Sequence, residues 1–119
     1  MIAKKNFLEF ALKQECIHEG EGLCSHAMIF GENEFQAPIR FLNYTTLPKG
    51  ASFGAHEHAD DNEIYIILEG EGHYECNGEL TEVKAGDVLV NPAFATHALY
   101  NDSGLDVEMR VLVIEGYNR

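Results

Sequence analysis

The sequence predicts an all-β fold, a sandwich or closed barrel of short strands within one domain. Nine short apolar or alternating runs follow one another between Leu23 and Ile114, and turn-forming residues separate them. Asn77-Gly78 is the clearest hairpin signal, because both residues accept the positive φ of a type I′ turn. Many short strands at this spacing, with no long helical pattern, indicate a sandwich or barrel. A length of 119 residues fits a single domain.

Each strand is predicted from its apolar pattern and from the turn that ends it. In chain order, the nine predicted strands are LCSHAMIF, IRFLNYTTL, SFGAHEH, EIYIILEG, GHYEC, ELTEV, DVLVNP, THALYN and DVEMRVLVI. Before them, Asn6 followed by Glu9 resembles a capping box, and Phe7, Phe10 and Ala11 fall on one helical face. This pattern favours a short N-terminal helix, although the segment is also short enough to be an edge strand.

The run EIYIILEG is apolar on both faces. Ile64, Ile66 and Leu68 share one face, while the alternate positions carry Glu63 and further apolar residues. A strand that is apolar on both faces must be covered on both, so a second layer is needed outside the barrel. We expect a homodimer to supply it, and packing within one chain, including the N-terminal residues 7–10, is the alternative.

Charge and composition narrow the choice of partners. The net charge of −12 gives an acidic surface, which repels nucleic-acid phosphates and anionic lipid, so neither nucleic acid nor membrane is an expected partner. No charged-then-apolar leader opens the chain, and no apolar run approaches the ~20 residues that a membrane span requires. The three cysteines are odd in number and scattered, which is typical of reduced thiols. We therefore expect a cytoplasmic protein.

Three histidines and one glutamate form the candidate metal site. His56 and His58 are two residues apart in a predicted strand, so their side chains project from the same face. With Glu63 and His97 they make a set of three nitrogens and one oxygen, which suits one divalent first-row transition metal. Iron, manganese, nickel, zinc, cobalt and copper all fit such a set.

These four residues and several others near them match the two motifs of a known family. Gly50, His56, His58, Glu63 and Gly70 satisfy the first motif of the cupins, and Gly86, Pro92, His97 and Asn101 match the second at every position but one. The chain therefore resembles a single-domain cupin over residues 50–101. The resemblance implies a double-stranded β-helix or jelly-roll barrel with a metal held inside one open end. It also implies one domain over residues 1–119, in which 1–37 form an N-terminal extension with the first strands and 38–115 form the barrel.

The family pattern also bears on two rival oxygen ligands and on one position where this sequence differs from the second motif. Asp60 and Asp61 are competing oxygen ligands, but the family's spacing favours Glu63, and Glu57 would point outward. Phe94 replaces a glycine of the second motif. Because a phenylalanine does not adopt positive φ cheaply, we expect the turn there to differ. Its ring would either cover the pocket mouth or pack on the hairpin.

Other side chains are weaker candidates. Tyr65 has the inward parity of Glu63 and is the candidate catalytic residue, since its hydroxyl could hydrogen-bond a ligand. Four further residues could line the cavity, namely Tyr44, Tyr74, Cys76 and Leu99. The remaining histidines are expected to be surface or packing residues, namely His18, His26 and His73.

Two functions remain open at this point. In the first, the metal binds and polarises a small oxygen-bearing substrate, as in the sugar isomerases, epimerase-like proteins, decarboxylases, lyases and dioxygenases among cupins. In the second, the barrel binds or senses a small ligand or metal without turnover. Regulatory cupins normally carry a separate DNA-binding domain, and no such segment is found in this sequence. The enzyme is the preferred interpretation.

Overall fold

The computed structural model describes residues 2–117, which form two antiparallel sheets. In chain order the strands are β1 (Lys13–Glu15), β2 (Cys24–Gly31), β3 (Ile39–Leu47), β4 (Ser52–Glu57), β5 (Asp61–Glu69), β6 (Glu71–Cys76), β7 (Glu79–Lys84), β8 (Val88–Asn91), β9 (Thr96–Tyr100) and β10 (Met109–Tyr117). The larger sheet has the order β1-β2-β3-β10-β5-β8, and the smaller has β4-β9-β6-β7. The all-β jelly-roll prediction is confirmed. All nine predicted strands are present, and β1 is an additional strand that the sequence pattern did not indicate.

The hairpin between β6 and β7 has the predicted turn. Asn77 and Gly78 have φ angles of 49° and 84°, and Cys76 pairs with Glu79 across them. Both central residues therefore lie in the left-handed region, as a type I′ turn requires.

The core lies between the two sheets, and side-chain parity decides which residues reach it. Glu63, Tyr65 and Ile67 of β5 are all buried, as the alternation along the strand predicts. They face apolar side chains from both sheets. The other members of the core are Cys24, Leu47, Ala51, Phe53, Tyr74, Val83, Leu99, Met109, Val111 and Val113.

The opposite face of β5 is only partly covered. Ile64 and Ile66 pair with Val90 and Val88 of the edge strand β8, and these two valines remain 62% and 60% exposed. An apolar surface therefore persists on the outer side of β5 and β8. The second apolar layer predicted from the sequence is not completed there by any contact that we find in residues 2–117.

The N-terminal segment covers a different part of the sheet. The expected short helix is a single 3₁₀ turn, Phe7–Glu9, and the amide of Leu8 donates a hydrogen bond to Oδ1 of Asn6 at 2.9 Å. The Phe7 ring packs against Tyr44 of β3, with 4.5 Å between ring centroids. Among residues 2–117, no helix has the length and apolar character needed to cross a membrane.

Candidate metal centre

The four predicted ligands come together at one end of the barrel. His56 lies in β4 and pairs with His97 of β9 in the smaller sheet, and His58 follows directly after β4. Glu63 reaches the same place from β5 of the larger sheet, where its side chain is buried. Both sheets therefore contribute to one site between them.

The distances among the donor atoms fit a single ion. The Nε2 atoms of His56 and His58 are 3.2 Å apart, and Oε1 of Glu63 lies 3.2 Å from Nε2 of His97 and 3.4 Å from Nε2 of His58. All four donor atoms lie within 4.8 Å of one another. Ligand atoms placed about 2.1 Å from one ion are separated by about 3.0 to 3.4 Å at octahedral or tetrahedral angles. The cluster therefore has the dimensions of a coordination shell.

The hydrogen bond made by His56 orients it as a ligand. Its Nδ1 lies 2.9 Å from the carbonyl oxygen of Gly54, so Nδ1 carries the proton and donates it. The Nε2 atom then presents a lone pair toward the other three side chains. Fixing the tautomer through the second ring nitrogen is the usual arrangement for a metal-binding histidine.

His58 has a corresponding arrangement with carboxylates. Its Nδ1 lies 3.0 Å from Oδ2 of Asp61 and 3.4 Å from Oε1 of Glu115. Asp61, considered above as a rival ligand, thus lies on the side of the ring away from the four-donor cluster. Glu115 is buried and is joined to Arg40 at 3.2 Å. These carboxylates support the imidazole from outside the cluster, as the partners of metal-binding histidines commonly do.

The charges of the cluster follow from burial and hydrogen bonding. Burial lowers the pKa of His56 to about 4, so this ring is neutral. Burial would raise the pKa of Glu63, but hydrogen bonds from His58 and His97 outweigh it and lower the pKa to about 2. The hydrogen bond to Glu63 is the main cause that raises the pKa of His58 to about 9, and Asp61 adds to it. Without a metal, His58 is therefore protonated at neutral pH, and its positive charge offsets the negative charge of Glu63.

Glu115 is a functional neighbour that the sequence prediction missed. Burial, together with the hydrogen bond to Asp61, raises the pKa of Glu115 to about 7. It shares the inward parity of Val113 on β10 and pairs with Glu63 across the strands. The alternation along β10 was thus a signal that could have placed this carboxyl in the interior.

The predicted pocket residues divide between the two faces. Tyr65 is buried edge-on to His97, with 5.6 Å between ring centroids, and Tyr74 lies edge-on to Tyr65. Leu99 belongs to the apolar core, and Cys76 pairs with His97 across β6 and β9. Tyr44 was a wrong candidate. It points to the outer face of β3, where it packs against the N-terminal segment and accepts a hydrogen bond from Arg110.

Two cavities adjoin the cluster. The inner cavity has a volume of about 180 Å³, and the outer one, of about 290 Å³, lies toward His56, His58 and Arg40. The inner cavity is lined by Glu15, Ile17, His18, His26, Phe41, Asn43, Thr45, Phe53, Glu63, Tyr65 and Val113. His26, expected at the surface or in packing, contacts Glu15 at 2.6 Å beside this cavity.

His18 and His73 lie in different places relative to the cluster. His18 was expected to be a surface or packing residue, and it is exposed, with its ring stacked on His56 at a centroid distance of 3.5 Å and planes inclined by 12°. It is therefore part of the site. His73 is half-buried and pairs with Asp102 at 2.7 Å beside a different depression. No sequence signal distinguished these two histidines.

The prediction that Phe94 would avoid positive φ is wrong. Its φ is 64°, a conformation that costs a non-glycine residue about 1 to 2 kcal/mol. Its amide donates to the carbonyl of Ala59 at 2.9 Å, which ties the turn before β9 to the segment between β4 and β5. The residue is 64% exposed, so the ring is mostly in solvent, and the turn still delivers His97 to the cluster.

Comparison with known proteins decides the family. A family model described as "Cupin domain" matches residues 43–115, which include all four candidate ligands. The chain is a cupin. An oxalate-binding protein from Thermotoga maritima is 33% identical to this cupin over 95 residues, covering 80% of this chain and 78% of its own. An uncharacterized protein from Methanocaldococcus jannaschii is 38% identical over 69 residues, covering 58% of this chain and 55% of its own.

Solved structures share the cupin fold. The crystal structure of a predicted oxalate decarboxylase from Thermotoga maritima has a TM-score of 0.89 at 25% identity, covering 99% of this chain and 100% of that one. The polyketide cyclase RemF from Streptomyces resistomycificus has a TM-score of 0.75 at 19% identity, covering 100% and 82%. The second likeness is one of fold alone.

Proposed function

We propose that this cupin binds one divalent transition metal per chain through His56, His58, Glu63 and His97, and that this centre acts on a small oxygen-bearing acid of the oxalate class. The observation that carries the proposal is the convergence of the four donor atoms within 4.8 Å of one another. When bound, the metal would supply Lewis-acid polarisation of a carboxylate, or redox chemistry if it is a redox metal.

The size of the inner cavity supports a small ligand. Its volume of about 180 Å³ is below the roughly 300–1,000 Å³ of pockets that take drug-sized molecules. A two-carbon dicarboxylate is the kind of molecule that fits such a space beside a metal. The likeness to an oxalate-binding protein over 80% of this chain supports the same class.

The residues around the cluster would hold it in one geometry. Tyr65 is fully buried, and burial together with Glu63 raises its pKa well above the ordinary value, so the phenol stays protonated. It is hydrogen-bonded to Glu63 and would hold that carboxylate in position. Asp61 would do the same for the ring of His58. The buried side chains of Glu63 and His97 would keep bulk water from that side of the ligand.

Within this proposal, the enzyme would be a decarboxylase, lyase, isomerase or dioxygenase acting on that acid. The second candidate is a binding protein that retains the acid without turnover. The likeness to an oxalate-binding protein over 80% of this chain supports this second candidate.

Calorimetry on chelator-treated protein tests the proposal. We expect one Mn²⁺ or Co²⁺ per chain for the wild type and for His73→Ala, and no high-affinity binding for the double variant His56→Ala, His58→Ala. Oxalate should then produce heat only with metal-loaded protein. Release of formate or carbon dioxide from oxalate would identify an enzyme, and its absence a binding protein. Full metal uptake by the double variant would contradict the proposed site.

A further inference from the structure

The turn before β2 has an unusual backbone. The amide of Gly20 donates to the carbonyl of Ile17 at 3.0 Å, and the two residues between them, His18 and Glu19, have φ angles of 50° and 57°. Two successive positive φ angles define a type I′ turn, which normally carries asparagine or glycine. Left-handed angles at histidine and glutamate persist only where surrounding contacts enforce them.

Those contacts come from β4, which carries His56. The amide of Gly54 donates to the carbonyl of Ile17 at 3.1 Å. A Cβ atom at Gly54 would lie 1.9 Å from the carbonyl oxygen of His18, and one at Gly20 would lie 2.2 Å from that of Ser52. The two backbones approach so closely that only glycine fits at both positions. The turn is therefore held rigidly against the metal-site strand.

The close approach of the turn to β4 fixes the position of the His18 ring. It lies flat on His56 and lines both the inner and the outer cavity. Its nitrogens are not among the donor atoms that lie within 4.8 Å of one another. Within residues 2–117, we find no hydrogen bond from the His18 ring to another residue. The ring thus forms a wall of the site and leaves both nitrogens available to a ligand.

We propose that His18 is a ligand-binding residue of this centre, which donates a ring N–H hydrogen bond to an oxygen of the small acid held at the metal. This rests on the proposed function of the centre. A neutral imidazole has one N–H to donate, and a hydrogen bond to a carboxylate is stronger than one between neutral groups. Support of His56 by ring stacking alone is the competing role, and a phenylalanine would reproduce it.

Two variants separate these roles. His18→Phe keeps an aromatic ring and removes the N–H, while His18→Gly suits the positive φ of the turn and removes the ring. His73→Phe is the matched control at a half-buried histidine outside the site. For each variant, calorimetry would measure Mn²⁺ affinity, and then oxalate affinity at saturating Mn²⁺.

We expect both His18 variants to bind oxalate about tenfold or more weakly, with unchanged Mn²⁺ affinity for His18→Phe and no change for His73→Phe. Oxalate affinity equal to wild type in His18→Phe, or in His18→Gly should His18→Phe not fold, would overturn the proposal. Loss of Mn²⁺ affinity in His18→Phe would also overturn it, since a ring nitrogen of His18 would then bind the metal itself. If metal-loaded wild type bound no oxalate, the proposed function itself would fail, and this proposal with it.

Discussion

Asp61 accepts a hydrogen bond from Nδ1 of His58 at 3.0 Å, on the side of the ring away from Nε2, which lies 3.2 Å from Nε2 of His56. The carboxylate thus orients the imidazole toward the cluster without entering it. Partners of this kind fix the tautomer of a metal-binding histidine and raise its basicity.

Asp61→Asn should weaken metal binding by about 10- to 100-fold while the fold is retained. An asparagine still reaches the ring but lacks the negative charge. Metal titration with a competing chelator measures the change. Asp102→Asn is the matched control, because Asp102 pairs in a similar way with His73, which lies outside the cluster. Equal losses in the two variants would contradict the role given to Asp61.

Metal affinity should rise with pH. The pKa of His58 is raised to about 9, so below that pH the metal must displace a proton from this ring. The apparent dissociation constant should therefore fall by about tenfold for each unit of pH between 6 and 8, with about one proton released per ion. Titrations at pH 6, 7 and 8, in buffers of different ionisation enthalpy, measure both quantities. An affinity that does not change with pH would be inconsistent with a protonated His58.

Gly54→Ala should destabilise the protein by more than about 2 kcal/mol. The added methyl group would lie 1.9 Å from the carbonyl oxygen of His18, so the turn and β4 would have to separate. Gly104→Ala is the control, because its Cβ would meet nothing within 4 Å and only its positive φ of 83° opposes alanine, at about 1 to 2 kcal/mol. Denaturant unfolding compares the two. A similar loss at both glycines would mean that the close approach at Gly54 is easily relieved.

The outer face of β5 and β8 should form the interface of a homodimer. Val88 and Val90 are 60% and 62% exposed next to Ile66 and Ile64, and apolar patches of this kind commonly mark interaction sites. Val90→Glu should give a monomer in light scattering at micromolar concentration, where the wild type gives a dimer. Leu80→Glu changes an equally exposed residue, 60% exposed on β7, and should leave the mass unchanged. A monomeric wild type would contradict the prediction.

Much of the site could be predicted because its information is local. The spacing of His56 and His58 places both imidazoles on one face of a strand, since side chains alternate with a period of two. The same alternation placed Glu63 and Tyr65 inside, and the turn at Asn77-Gly78 followed from which residues accept positive φ.

The surroundings of three residues followed only from the tertiary structure, namely those of His18, Glu115 and Phe94. His18 reaches His56 because residues 38 positions apart in the chain are held together by backbone contacts and by two glycines. Glu115 joins Asp61 and His58 through the register of β10 against β5. Phe94 has a left-handed angle while its amide is bound to the carbonyl of Ala59, which lies between β4 and β5 and is 35 positions away in the chain. Alternation and turn chemistry are properties of a few consecutive residues. For that reason, the sequence by itself determined the barrel and the four side chains that converge in it. The close approach of distant segments depends on strand register and packing, which only the tertiary structure decided.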